Sequence, residues 1–368
     1  MIKVFFDYKV FFEQPLGGAS KYIYELTNLL NDLSCDAKII SAFHINDYLR
    51  NNKHAKTIYK FNLHYPKFTK RAAEEFNKIY FKWYTKNRRP NIVHFTDFSN
   101  DYIDTFDGKK ITTVYDLIHE KFENLYSLPE DYKKKKFCFF EKMDHIISIS
   151  ESTKKDLMKI YNINEDKISV IHLGVSNNND QNNFEKISNT IKKPFILFVG
   201  HRKRYKNFLR FIKAFSLSKN LVNDFDIVCF GKQSFDNNEL SVIDKLRLKK
   251  NIHLVSGDDI TLNYYYKNAE LLVYPSLYEG FGLPLLEAMK NGCAVACSET
   301  SSLIEIGNDA VDFFIPDQED SILSSLKRVL YSHDYKSKLI KNGYKNISNF
   351  TWEICAKKTL QIYEKLIL

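Results

Sequence analysis

The sequence predicts an α/β protein made of two doubly wound, parallel-sheet domains, and three observations carry that expectation. The chain has 368 residues, more than one hydrophobic core ordinarily serves, so two domains of roughly 150–200 residues are expected. Short runs rich in β-branched and aromatic residues alternate with helical patterns almost from end to end, the order that βαβ units require. One stretch, Ser176-Asn177-Asn178-Asn179-Asp180-Gln181-Asn182-Asn183, is nearly devoid of apolar residues and reads as the linker between the halves.

The strand-like runs of the first half are 2–8, 37–43, 92–95, 111–117, 145–150 and 168–173. Those of the second half are 194–200, 225–231, 251–255, 270–275, 293–297 and 311–315. Several are apolar throughout rather than alternating, as strands covered by helices on both faces should be. The domains that follow are 1–178, 190–350 and a terminal helical segment 351–368, beginning near Trp352 and packing back towards the first domain. Ligands of open parallel sheets bind beyond the carboxyl ends of the strands. Two such sheets facing each other across a deep cleft direct attention to the strand-to-helix loops.

Composition narrows the function classes. Hydrophobic residues at 44% and charged residues at 27%, with only 12 Gly and 8 Pro, exclude a fibrous or disordered chain. No run of about 18 uncharged apolar residues exists, so no transmembrane helix is expected. Met1-Ile2-Lys3-Val4-Phe5-Phe6-Asp7 is interrupted by charge and reads as a first strand, not a signal peptide. The cysteines Cys35, Cys138, Cys229, Cys293, Cys297 and Cys355 show neither metal-ligand nor disulfide-framework spacing, which suits buried thiols in a reducing, cytoplasmic compartment.

The net charge of +9 is spread evenly: residues 1–176 hold 28 basic and 23 acidic residues, leaving 26 and 22 for the rest. Neither half is marked as a polyanion binder, and no reader motif is present, so nucleic acid is not an expected partner. One local exception is the segment 65–90. Its eight basic residues face only Glu74 and Glu75 and interleave with Phe68, Phe76, Tyr80, Phe81, Trp83 and Tyr84. Such a helix serves either as a peripheral contact to an anionic membrane or as a solvated helix packed by its aromatic face.

The strongest chemical signal is Tyr274-Pro275-Ser276-Leu277-Tyr278-Glu279-Gly280-Phe281-Gly282-Leu283-Pro284-Leu285-Leu286-Glu287. A strand feeds a loop with two glycines and then a helix, with Pro284 in the first turn, where its missing N–H is no loss. Gly280 and Gly282 let the backbone approach a ligand, and the free amides of the helix start favour phosphate or sugar oxygens. Glu279 and Glu287 bracket the turn and can accept hydrogen bonds from sugar or ribose hydroxyls, holding a nucleotide sugar from both ends. The loop Gly200-His201-Arg202-Lys203-Arg204-Tyr205-Lys206-Asn207 clusters cations where a diphosphate's charge needs neutralising. In the first half, Gly17-Gly18 opens the helical pattern 22–33 and can cradle phosphate or sugar. Tyr115-Asp116 and His119 follow another strand, His94 ends a third, and Ser150 is placed to cap the helix that follows it.

These motifs resemble those of the retaining glycosyltransferases of family 4, and the resemblance extends over most of the chain. Glu279, Phe281, Gly282, Leu283 and Glu287 match its signature of two glutamates around Gly-Phe-Gly-Leu-Pro. The resemblance implies the GT-B fold and a hexosyl transfer from GDP-mannose or a UDP-sugar to a lipid-linked oligosaccharide of O-antigen or capsule assembly. Glu279 would sit by the donor sugar and Glu287 on the ribose, with the amides of Gly280 to Leu283 on the donor. Lys206 and Arg202 would hold the diphosphate, with His201 an alternative occupant of the Arg position, and Gly17 and Gly18 would face the donor from the first domain. Asp116 and His119 are the further catalytic candidates. The family's usual His before the Asp is Tyr115 here, and Ala294 and Ile304 stand where relatives have Pro. His94 is a candidate for lining the acceptor site.

No Asp-x-Asp pair or His/Glu cluster has metal spacing, so neither metal nor cofactor is expected, the nucleotide sugar being a substrate. The alternatives are a nucleotide-sugar epimerase or phosphorylase on a similar frame, or a non-catalytic sugar-nucleotide-binding partner of an active transferase.

Overall fold

The computed structural model describes the chain except residues 51, 63–64, 67–68, 99–101, 176–190 and 203. The polar stretch 176–183, the expected domain limits at 178 and 190, Phe68 and Lys203 therefore lie outside the described residues. The chain forms two compact units, Met1–Gly174 with Thr351–Leu368, and Val175–Phe350.

The strands of the first unit are β1 (Lys3–Phe6), β2 (Asp36–Ile40), β3 (Phe43–His44), β4 (Ala55–Lys56), β5 (Tyr59–Lys60), β6 (Ile92–Phe95), β7 (Lys109–Val114), β8 (His145–Ser148) and β9 (Ile168–Val170). Seven of them form a parallel sheet in the order β4-β2-β1-β6-β7-β8-β9, and β3 pairs with β5 in a separate two-stranded ribbon. The second unit contains β10 (Phe195–Val199), β11 (Asp226–Phe230), β12 (Ile252–Val255), β13 (Leu271–Tyr274), β14 (Val295–Ser298) and β15 (Asp312–Phe314). Its parallel sheet runs β12-β11-β10-β13-β14-β15. In both sheets the order reverses beside the first strand, the doubly wound arrangement of dinucleotide-binding folds.

Each of the twelve predicted runs overlaps a strand of one of the two large sheets. The reason is visible in their burial: β6, β8, β10, β11, β13 and β14 are buried at every residue, so both faces select apolar side chains. The run 37–43 is corrected. It ends as a strand at Ile40: the ladder with β4 closes with Ser41 N donating to Lys56 O, and beyond it Ala42 O accepts from Ile58 N and Tyr59 N, diverting Phe43 into the ribbon. Likewise β7 stops at Val114, three residues short of the expected end, which leaves Tyr115 and Asp116 in a loop. Two-residue strands such as β3, β4 and β5 are too short to show a period.

The terminal helix Trp352–Ile367 packs within the first unit, where Trp352 stacks on Tyr22 with ring centroids 6.2 Å apart. Its N-cap is Thr351, whose hydroxyl accepts from Ile354 N. The chain passes so close to Gly174 that a Cβ there would lie 2.2 Å from the backbone N of Trp352. Gly174→Ala is therefore expected to destabilise the first unit by about 1–3 kcal/mol, as overpacking against a backbone does; an unchanged melting temperature would count against this. Among the described residues no helix is long and apolar enough to cross a membrane.

Candidate active site

The second unit places two loops side by side at its switch point. The loop after β10 leads to Lys206 and the loop after β13 runs from Pro275 to Gly282, and Leu277 N donates to Tyr205 O at 2.7 Å to tie them together. Asn207, in the left-handed region with φ 57°, ends the first loop at the start of the helix Phe208–Ser216.

The arrangement centres on Lys206. Its Nζ lies 2.5 Å from Glu279 Oε1 and donates to the Tyr274 hydroxyl at 2.9 Å, with both Lys206 and Glu279 buried. Tyr274, the last residue of β13, is also hydrogen-bonded to Glu279; burial and that carboxylate hold its hydroxyl well above the usual tyrosine range, so it stays protonated. An ammonium has three donors, so the two bonds made among the described residues leave one for a ligand.

The backbone of the second loop is fixed from the following helix, Ser301–Gly307. Glu279 N donates to Ser301 Oγ at 2.9 Å, and Ser302 Oγ reaches the carbonyls of Glu279 (2.9 Å) and Phe281 (2.8 Å). With those carbonyls held from below, the loop's path into the helix Leu283–Lys290 is set, and Gly282 caps that helix at φ +114°. Glu287, one turn in, accepts from the Tyr266 hydroxyl at 3.1 Å. Burial and Glu287 raise the Tyr266 hydroxyl well above its ordinary range, fixing it as a donor.

Arg202 sits differently. Its Nε donates to Glu239 Oε1 at 2.9 Å, its Nη2 donates to the carbonyls of Gln233 (2.7 Å) and Ser234 (2.8 Å), and its guanidinium lies 4.4 Å from the Phe235 ring centroid. A buried guanidinium needs such satisfaction. The structure thus engages Arg202 as a strut for the loop after β11, while His201, the alternative, is exposed.

The first unit has its own cavity of about 360 Å³ at the carboxyl ends of β6 and β7. Asp116, His119, Tyr115, Tyr132 and Lys136 line it. Asp116 Oδ1 accepts from Ile118 N at 3.0 Å, and the His119 ring meets Tyr126 edge-on at 4.4 Å. The Tyr115 hydroxyl is buried with no hydrogen-bond partner among the described residues. Lys136 pairs with Glu120 at 2.6 Å, and Tyr161 donates to the same Oε1. Gly17 precedes the helix Gly18–Asp32, and its carbonyl accepts from Ser20 Oγ at 3.0 Å. The Ser150 cap forms, accepting from Thr153 N at 3.1 Å.

His94 does not line that cavity. It is fully buried between the Tyr363 hydroxyl (2.6 Å) and Thr113 Oγ1 (2.8 Å), and burial pushes its imidazole down to about 3. Its folded value lies below the unfolded one near 6.5, so the unfolded chain takes up a proton that the folded chain refuses. The stability contributed by neutral His94 is complete above about pH 6.5 and is lost as pH falls towards about 3, by about 1.4 kcal/mol per unit. Buried His44, pushed down to about 4, adds to the same trend. His94→Gln is expected to flatten the acid dependence of the urea midpoint between pH 6.5 and 4; curves of equal slope would refute the assignment.

The sequence reading missed Tyr274, Tyr266, Ser302 and Glu239 as partners of the expected residues. Tyr274 stands at the head of the motif that carries Glu279; Tyr266 carries no local signal, and Glu239 carries only that of a helix capping box with Asp236, which says nothing of Arg202.

The chain is similar to known glycosyltransferases in sequence and in fold. Residues 16–179 match Glycosyltransferase Family 4, and residues 179–346 match Glycosyl transferases group 1. The chain is 24% identical over 301 residues to O-antigen chain mannosyltransferase B of Escherichia coli, covering 77% of each. It is 32% identical over 191 residues to O-antigen chain mannosyltransferase RfbU of Salmonella typhimurium, spanning only half the length of either protein. Among solved structures, a glycosyltransferase from Rickettsia africae superposes with a TM-score of 0.76 at 19% identity, covering 100% of this chain and 98% of that one. The Anabaena protein Alr3699/HepE, solved with UDP and glucose, gives 0.77 at 11% identity over the whole of both chains. The fold is therefore GT-B, two parallel-sheet α/β domains.

Proposed function

Because the chain belongs to the glycosyltransferases of family 4, we propose that it moves a hexosyl group from a nucleotide-diphosphate sugar to a growing, lipid-linked surface polysaccharide, retaining the anomeric configuration. The observation that carries this is the Lys206–Glu279–Tyr274 cluster at the switch point of the second unit. Lys206 offers its third N–H to the departing diphosphate, beside the amides of Gly280 to Leu283 at a helix start, where developing negative charge is best stabilised. Glu279, oriented by Lys206 and Tyr274, accepts hydrogen bonds from the donor sugar, and Glu287, oriented by Tyr266, accepts those of the ribose. The leaving phosphate takes the proton of the incoming hydroxyl on the same face, so the protein contributes position and charge. Asp116 and His119 face the acceptor, and transfer runs without a metal or cofactor.

The mannosyltransferase relatives favour GDP-mannose, and the UDP-bound neighbour keeps UDP-sugars open. Calorimetry against UDP-, GDP-, ADP- and dTDP-sugars in EDTA tests the reading. One nucleotide sugar is expected to bind, with Glu287→Ala weakening it at least tenfold and the product keeping the donor's anomeric configuration by NMR. Failure of every donor to bind the folded protein would overturn it.

A further inference from the structure

The helix Thr69–Arg88 buries Ala73, Asn77, Phe81 and Thr85, spaced four apart, against its own unit. Its outward face carries Phe76, Ile79 and Trp83, which are 43%, 65% and 59% exposed. Those three recur at helical spacing and span about 10 Å along the axis. The stripe widens sideways into the ribbon: Phe76 touches Phe43 with ring centroids 5.0 Å apart, and Phe43 is the partner of Tyr59 across β3 and β5. Ile58 and Tyr59 there are each 56% exposed. Large apolar side chains that remain outside on both a helix and the neighbouring ribbon form a continuous patch, which on a water-soluble surface signals a partner.

The charge around the patch says what that partner is. Between residues 69 and 89 stand Lys70, Arg71, Lys78, Lys82, Lys86, Arg88 and Arg89 against Glu74 and Glu75. Lys78 pairs with Glu75 and Lys70 with Glu13, while Arg71, Lys86, Arg88 and Arg89 are exposed. Lys86 lies three residues beyond Trp83, so the stripe continues directly into cations. There it meets a groove of about 640 Å³ lined by Lys86, Arg89, Lys109, Phe106, Ile367 and one acid, Asp107. Lys109 also lies 3.3 Å from Asp144. An apolar stripe with Trp, rimmed by Lys and Arg and ending in a basic groove, has the chemistry of an interfacial helix on anionic lipid.

We propose that this face docks on an anionic bilayer, with Phe76, Ile79, Trp83, Ile58 and Tyr59 entering the headgroup region and Lys86 and Arg89 meeting lipid phosphates. The contact is independent of the donor site, which stands in the other unit.

The chain's two tryptophans make the test direct, because Trp83 is exposed and Trp352 is buried. Full-length protein is mixed with vesicles of phosphatidylcholine alone or with 40 mol% phosphatidylglycerol. Binding to the anionic vesicles is expected, with a blue-shifted emission and quenching by brominated acyl chains. Phe76→Ser/Ile79→Ser/Trp83→Ser is expected to lower the partition coefficient more than tenfold, and Arg71→Glu/Lys86→Glu/Arg89→Glu to abolish binding. Inorganic phosphate at the same charge concentration is expected to leave the emission unchanged; a phosphate-only shift would assign the groove to a free anion and overturn the bilayer reading. So would no binding to anionic vesicles, binding unaltered in both variants, or a dimer in sedimentation that the triple-serine variant dissolves. Nucleotide-sugar affinity, measured in parallel, is expected to be the same in both variants, which separates this result from failure of the donor site.

Discussion

Replacing Lys206 with methionine is expected to lower transfer by about a hundred- to a thousandfold, the effect of removing one preorganised group that stabilises developing charge. The same change should destabilise the second unit, because it leaves the buried Glu279 carboxylate 2.5 Å from where its cation stood. Breaking a buried pair from one side costs about 3–5 kcal/mol, while replacing both members with apolar groups is far milder. The double variant Lys206→Met/Glu279→Leu should therefore recover much of the melting temperature and none of the activity. Glu279→Gln can keep the geometry with Tyr274 but lacks the charge, and is expected to retain the fold while losing most transfer. A Lys206→Met enzyme with near-normal turnover would remove Lys206 from the proposed chemistry. A double variant no more stable than the single one would show that the pair is not coupled as described.

Gly282→Ala is the second large effect, and Gly200 supplies its control. Both glycines have nearly the same φ, +114° and +109°, in the region that L residues rarely adopt. A Cβ at Gly282 would lie 2.8 Å from Leu303 Cδ2, whereas one at Gly200 meets nothing within 4 Å. Each substitution carries the backbone penalty of an L residue there, about 1–3 kcal/mol. Only Gly282→Ala also presses on the helix whose Ser302 holds the carbonyls of Glu279 and Phe281. Donor affinity is expected to fall at least tenfold in Gly282→Ala, with a smaller loss in Gly200→Ala. Equal losses in the two would mean that backbone strain alone, and not the contact with Leu303, sets the loop.

How much of this was legible beforehand differs from residue to residue. Glu279, Gly282, Pro284 and Glu287 stand within nine positions, so the turn, the helix start and the flanking carboxylates were readable together. Lys206 was readable as a cation after a strand, but its partnership with Glu279 joins residues 73 apart through the pairing of β10 and β13. Arg202 and Lys206 look alike in one basic loop. Only the fold places Glu239 and two carbonyls around the first and a carboxylate and a phenol around the second. His94 looked like a strand-end histidine open to an acceptor until Tyr363, 269 residues away, covered it.

By itself the sequence determined the two doubly wound domains, the strands of their sheets except the two-residue edge strand β4, and the loop that bears the paired glutamates. These are local properties: burial on both faces imposes continuous apolar runs, and a glycine-rich helix start is written in adjacent residues. Tertiary structure alone decided which cation neutralises which carboxylate and which histidine is sealed in the core. It alone decided that the aromatic helix turns Phe76, Ile79 and Trp83 outward while burying Phe81. Those outcomes depend on desolvation and on contacts between residues far apart in the chain, and neither has a period that the sequence displays.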